Sequence, residues 1–351
     1  MRSHRVLAPL AFVATAAVAG TVAVPAQHIL GSRTHRNAGH WHRLAPLPVP
    51  HGAAGVLGLA AAASRGSIYA IGGVASTSAE PTRDVWRYDP AADRWTRRAP
   101  LPVGVADAAA VALPDGHILV MGGEQQLVSA AVQEYNPARD RWTLRPPLPA
   151  RRAYAAAARL GHHVYVIGGR GGDYEPYAGP ARQVFVYDTR LRTWRRGPNL
   201  PRALYGAHAL DYAGRILVLG GYSARNPAEL RTTYVLAHGR WRLDRKLRLP
   251  LLRSGGAVCG PIAVVGSRLF QVGGGSGAGA PMSVIGATDR VLVLDLETGG
   301  SSHAARLPRR AGRPGLRTQG AAVALDGRVY ALGGYDPHGN AYLRSVYALD
   351  P

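Results

Sequence analysis

The sequence predicts an all-β fold, a six-bladed β-propeller of four-stranded sheets, and three observations carry that prediction. A double glycine recurs at Gly72-Gly73, Gly122-Gly123, Gly168-Gly169, Gly220-Gly221, Gly273-Gly274 and Gly333-Gly334, a period of roughly 50 residues. Each pair closes a short apolar run, such as Ser67-Ile68-Tyr69-Ala70-Ile71 or His163-Val164-Tyr165-Val166-Ile167. Such runs ended by glycine read as strands. Finally, the segment His40-Trp41-His42-Arg43-Leu44-Ala45-Pro46-Leu47-Pro48 parallels Arg94-Trp95-Thr96-Arg97-Arg98-Ala99-Pro100-Leu101-Pro102, so the chain begins with the piece that its last repeat lacks.

The elements of each repeat follow in order. The glycine-ended run is strand b. After a variable loop comes strand c, as in Val85-Trp86-Arg87-Tyr88-Asp89, Val132-Gln133-Glu134-Tyr135-Asn136 and Val184-Phe185-Val186-Tyr187-Asp188. A tight turn leads to strand d, marked by Trp95, Trp142, Trp194 and Trp241. Leu-Pro then precedes an alanine-rich strand a of the next repeat, at Leu101-Pro102, Leu148-Pro149, Leu200-Pro201, Leu249-Pro250 and Leu307-Pro308. A four-stranded sheet cannot bury both faces alone, so the units stack radially, with tyrosine and tryptophan filling the space between them. Two repeats depart from the pattern. Ser301 stands where the fifth tryptophan is expected, and Ala237 replaces the aspartate of the fourth, with a shorter turn. Both predict thinner local packing. The sixth repeat stops at Asp350-Pro351, before its strand d, and Trp41 supplies that strand, covering an open edge.

Six such units over residues 40–351 resemble Kelch repeats. The resemblance implies a Kelch-type propeller whose loop-rich face receives partners.

Residues 1–26 read as a secretory signal, or an uncleaved anchor, with Arg2, His4 and Arg5 ahead of an apolar stretch and Val24-Pro25-Ala26 at the cleavage position. Residues 27–39 are a linker. The resemblance and this leader together point to an exported bacterial protein, secreted or tethered to the membrane only through that segment. Glycine (44) and proline (26) exclude a mainly helical protein, and 47% hydrophobic residues exclude wholesale disorder. The net charge is +21, and Lys246 is the single lysine. The arginines are spread through every repeat, which argues against a nucleic-acid module and for attraction to anionic partners. The single cysteine, Cys259, lies in an apolar run and reads as an inert core residue.

Candidate binding residues fall at two places in the repeat. Near the start of strand a stand His51, Val105, Arg152, Leu204, Arg253 and Arg317, of which the arginines and the histidine would receive carboxylate, sulfate or phosphate around the channel. Directly after the double glycines stand Val74, Glu124, Arg170, Tyr222, Gly275 and Tyr335. The loop from Arg170 to Tyr177 adds Tyr174 and mixes acids with aromatics, which suits sugars or protein partners. The loop from Gly273 to Asp289 is glycine-rich and reads as a flap.

The sequence has no phosphate loop, no HExxH helix and no Gly-x-Ser-x-Gly elbow, so no catalytic residue, metal or cofactor is assigned. His162-His163, in a hairpin turn, reads as solvated. The expected function is a monomeric binding module for a protein or an anionic glycan. The alternative implied by resemblance is an exported Kelch epimerase acting on sialic acid anomers, with Arg152, Arg253 or Arg317 on the carboxylate and Glu124 as general acid/base. A copper oxidase similar to galactose oxidase ranks below it, since Cys259 alone does not make that site.

Overall fold

The computed structural model describes residues 39–78, 80–125, 127–171, 179–223, 231–249, 261–274, 287–309, 315 and 317–351. The leader, Tyr174, Arg253, Cys259 and most of the loop from Gly273 to Asp289 lie outside these residues.

Six antiparallel sheets of four strands form the blades of a propeller, each ordered a to d from the inside out. Blade one comprises Ala60–Ser64, Ser67–Ile71, Val85–Asp89 and Arg94–Arg97. Blade two comprises Ala109–Ala112, Ile118–Met121, Val132–Asn136 and Arg141–Arg145. Ala156–Leu160, His163–Ile167, Val184–Asp188 and Thr193–Arg196 make blade three. His208–Tyr212, Arg215–Leu219, Thr233–Ala237 and Arg240–Asp244 make blade four. In blade five the strands are Ile262–Val265, Arg268–Val272, Val291–Asp295 and Ser301–Ala304. Blade six takes Ala321–Leu325, Arg328–Leu332 and Val346–Asp350 from the C-terminus and His40–Leu44 from the N-terminus.

The repeat chemistry explains the geometry. The a strands are rich in buried alanine, including Ala61, Ala110, Ala157, Ala209 and Ala322, and small side chains let neighbouring blades converge on the axis. The double glycine marks where the chain of the next blade crosses. The N–H of Gly73 donates to Val105 O at 2.9 Å, and a Cβ on Gly72 would lie 2.2 Å from that same oxygen. No larger residue fits there. At the end of strand c an Asx turn reverses the chain, with Asp89, Asn136, Asp188 and Asp295 each accepting two backbone N–H bonds through Oδ1.

The tryptophans fasten each blade to the one before. Trp95, Trp142, Trp194 and Trp241 donate their indole N–H to Ala45, Ala99, Pro146 and Pro198 carbonyls at 2.7–2.9 Å. Closure of the ring repeats the device. His40–Leu44 pairs with Val346–Asp350, placing Trp41 opposite Leu349, and the Trp41 indole donates to Ala305 O of blade five at 2.9 Å. The N–H of Leu47 donates to Arg344 O, as that of Leu101 does to Arg83 O. The orphan segment is therefore strand d of blade six.

At the junction of blades four and five, Ser301 pairs with Leu294 and is exposed. Leu210, Leu217, Leu247, Leu249, Leu269, Leu294 and Leu296 form one buried cluster and replace the aromatic contact with aliphatic volume. The shorter turn of blade four is a two-residue reversal through His238 and Gly239, both left-handed.

Replacing Trp41 by alanine removes a buried side chain and the blade-five hydrogen bond together, so the ring should lose about 3–5 kcal/mol. Deleting residues 38–48 should lower the melting temperature further. Thermal unfolding at the wild-type temperature in either variant would contradict closure through the N-terminal strand.

Candidate ligand site

The site is assembled at the start of the a strands. There, one residue per blade takes up the left-handed conformation: Gly58 (φ 63°), Asp107 (φ 51°), Tyr154 (φ 56°), Gly206 (φ 61°) and Gln319 (φ 50°). These residues are joined head to tail across blades. The N–H of Gly58 donates to Gln319 O at 3.0 Å, Asp107 to Gly58 O at 2.7 Å, Tyr154 to Asp107 O at 3.1 Å and Gly206 to Tyr154 O at 2.9 Å. The result is a backbone belt about the axis, running from blade six through blade four. The corresponding stretch of blade five falls within 250–260, outside the described residues. Left-handed backbone is strained for a residue as bulky as tyrosine, by about 1–3 kcal/mol. Here the belt holds it in place.

Next to each belt residue, the residue before it pairs with the one after the double glycine. Ala106 exchanges two N–H bonds with Glu124, Ala153 with Arg170, Tyr205 with Tyr222 and Thr318 with Tyr335. Leu57 pairs with Val74 in the same way. The post-glycine residues are thus equivalent by geometry, as their place in the repeat suggests.

On the side of blades two to four, their side chains converge. The Tyr154 hydroxyl donates to Glu124 Oε2 at 2.9 Å. Tyr154 also neighbours the Asp107 carboxyl. The Arg170 guanidinium lies over the Tyr205 ring at 5.3 Å from its centroid. Tyr205 and Tyr222 stack with centroids 5.3 Å apart. Asp107 is 4% exposed, and its Oδ1 has no hydrogen-bond partner among the described residues. Gly58 makes room for this carboxyl, because a Cβ there would lie 2.9 Å from Asp107 Oδ2.

Burial pushes the Asp107 carboxyl well above the usual carboxylate range, and the charge of Glu124 adds to the rise, while Tyr154 partly opposes it. Burial also raises Glu124, opposed by the Tyr154 hydroxyl and by Arg170. Tyr154 is raised by burial and by both acids. The cluster therefore offers a buried acid pushed up by its burial, a second acid, a guanidinium and stacked phenol rings in one neighbourhood.

Of the residues selected from sequence, Glu124, Arg170 and Tyr222 come together here. Tyr335 lies on blade six, where its hydroxyl bonds Asn340 Oδ1 and its ring packs edge-on to Tyr342. His51 is exposed and is not the blade-one counterpart of Arg152; Val56 is, since its carbonyl accepts from Gly334 as Arg152 O accepts from Gly123. A longer loop after Leu47 displaces His51 from that register.

Arg152 and Arg317 are buried within their own blades, not solvated at a rim. Arg152 donates to Arg151 O, Gly171 O and Gln183 Oε1 and lies over Phe185. Arg317 donates to Ser345 O and Oγ and lies over Tyr347. Its burial lowers the guanidinium to about 10. Sequence reasoning missed Asp107, Tyr154 and Tyr205. The signal was available, because Leu101, Leu148 and Leu200 precede Asp107, Tyr154 and Gly206 by one common spacing.

Comparison with known proteins agrees with this architecture. Residues 56–102, 151–201 and 316–351 match the family model for the Kelch motif. Kelch-like protein 35 of Mus musculus is 32% identical over 161 residues, which is 45% of this chain and 26% of that protein. Kelch-like protein 25 of Homo sapiens is 32% identical over 192 residues, 52% of this chain and 30% of that one. Kelch domain-containing protein 3 of Rattus norvegicus is 28% identical over 127 residues, 33% of this chain and 32% of that one. The matched part thus spans less than a third of each relative's own length. A solved structure described as that of YjhT superposes with a TM-score of 0.67 at 16% identity, covering 86% of this chain and 95% of that one. The chain is a six-bladed β-propeller that carries Kelch repeats.

The raised Asp107 and Glu124 carboxyls fix the sign of a pH dependence. Above the ordinary carboxylate value, near pH 4, the folded chain holds protons that the unfolded chain has released, so stability falls as pH rises through that window. Asp107→Asn should flatten this fall, gaining stability relative to wild type as pH goes from about 4 to about 7. Denaturant unfolding at a series of pH values measures it, and parallel profiles for the two proteins would refute the placement of Asp107.

Proposed function

We propose that this chain is an exported binding propeller that takes a hydroxyl-rich carbohydrate at the axial cluster of blades two to four. Kelch repeats in general serve protein interaction, and the cluster gives this chain a chemistry suited to sugars. The observation that carries the reading is the convergence of Asp107, Glu124, Tyr154 and Arg170 on the stacked Tyr205–Tyr222 pair. Phenol rings cover the apolar face of a pyranose. Carboxyl and guanidinium groups bond its hydroxyls, and Arg170 suits a carboxylate substituent. Export rests on the basic and apolar pattern of residues 1–26.

A second reading has its own support. Two neighbouring carboxyls, both raised and linked through one tyrosine, match the needs of acid/base chemistry at a sugar hydroxyl. Interconversion of sialic acid anomers is the reaction in question. Glu124 would move the proton, and Asp107 and Tyr154 would hold it in place.

A glycan array with the full chain should give a defined set of sugars, and Tyr222→Ala should weaken them by about tenfold, the scale of a lost aromatic contact. Equal binding by the variant would remove the cluster as the site. Absence of any glycan signal would turn the proposal toward a protein partner. For the second reading, proton NMR of freshly dissolved sialic acid should show anomer exchange faster than in buffer, and Glu124→Gln should abolish the excess. A rate equal to buffer would reject catalysis and leave binding untouched.

A further inference from the structure

At the hairpin turn between strands a and b of blade three, two histidines and an aspartate come together. His162 lies in the turn between strands a and b, and His163 opens strand b. His163 pairs across to Asp188, the last residue of strand c. One ligand atom from each lies within 4.8 Å of the others, and all three residues are half-buried. The imidazole rings are 4.2 Å apart between centroids. His162 Nε2 and His163 Nε2 stand 3.8 and 3.5 Å from Asp188 Oδ2.

The two oxygens of Asp188 divide their work. Oδ1 accepts from the N–H groups of Arg190 and Leu191 and so holds the Asx turn. Oδ2 faces both imidazoles at distances longer than good hydrogen bonds. Those distances have another meaning. Zinc bonds to nitrogen and oxygen of about 2.0–2.2 Å, set at tetrahedral angles, place ligand atoms about 3.3–3.6 Å apart. The backbone beneath is fixed as well, since His162 O accepts from both the N–H and the hydroxyl of Thr189.

Comparison between blades separates structure from ligation. A cation facing the strand-c aspartate is a feature of the repeat: Arg328 binds Asp350 at 2.6 Å in blade six, and Arg268 stands across from Asp295 in blade five. His163 fills that place in blade three. His162 has no such duty. Its counterparts are Gly66, Gly116, Gly214, Ser267 and Gly327. In blade five the turn has the same glycine-first form, Gly266-Ser267 against Gly161-His162, and Ser267 O accepts from Leu296 N as His162 O does from Thr189 N. The fold thus asks nothing of a histidine side chain at 162.

We propose that His162, His163 and Asp188 form a binding site for a divalent first-row transition ion of the zinc class, with a fourth position open to water. Two imidazoles and one carboxylate are the ligand types such ions prefer, and three protein ligands leave a coordination place free. Arg195, on strand d opposite Val186, brings a positive charge near His163 that opposes a bound ion.

Zn²⁺ titrated calorimetrically into the full chain tests the site, with the visible spectrum of the Co²⁺ form reporting coordination. Wild type should bind one ion saturably and melt higher with Zn²⁺ than with chelator. His162→Ser copies the turn of blade five, and Asp188→Asn copies blade two, where Asn136 Oδ1 makes the same turn. Both variants should fold with the wild-type melting temperature in chelator. Each should bind Zn²⁺ about tenfold or more weakly, at least the effect of losing an outer partner of a ligand. Saturable binding that both variants retain would assign the ion to other histidines and overturn the proposal, as would its absence from wild type.

Discussion

The belt of left-handed residues about the axis is the constraint on which the site depends. Each link is one backbone hydrogen bond, from Gln319 to Gly58, Asp107, Tyr154 and Gly206 in turn, and each joins two blades. Because left-handed backbone turns the chain sharply just before strand a, side chains at these positions are drawn in toward neighbouring blades. Two of the described members are glycine and open space. Three carry side chains, and two of these, Asp107 and Tyr154, stand on adjacent blades. Their contact is therefore a consequence of ring geometry.

The rim of the propeller obeys a different rule. Indole N–H groups on strand d bind the preceding blade, and Asp93 and Asp140 strengthen the join. Each accepts a tyrosine hydroxyl from its own blade while also accepting an N–H, from Ala45 or Ala99, of the blade before. Blade three has Arg192 at this place, and the buried Tyr187 hydroxyl there is left without a partner among the described residues. Blade five gives up the tryptophan altogether and packs leucine. The joins vary in chemistry but not in position, which is how one fold tolerates unequal repeats.

The ring was legible in the sequence because its requirements are local and repeated. Glycine where a carbonyl crosses, aspartate where strand c turns and tryptophan where strand d meets its neighbour each leave a residue type at a fixed place. Trp41 was legible for the same reason. The site was only half legible. Glu124, Arg170 and Tyr222 follow the double glycines, a fixed landmark. Asp107 and Tyr154 share one spacing from Leu-Pro but no residue type marks that place, and the longer loop after Leu47 puts His51 where the shorter loops put Arg152, hiding Val56. Arg152 and Arg317 show another limit. A charge in the sequence does not say whether its guanidinium meets solvent or lies on Phe185 or Tyr347, and here stacking and carbonyl bonds hold it inside.

A buried carboxyl held by the belt and pushed up by its burial is the feature that makes blades two to four chemically unlike the rest. Carbon-13 NMR of labelled aspartate side chains, followed from about pH 3 to about pH 8, observes it directly. One carboxyl should remain protonated well above the ordinary carboxylate range, and its signal should vanish in Asp107→Asn. Aspartate signals that all titrate at or below about pH 4 would contradict the account.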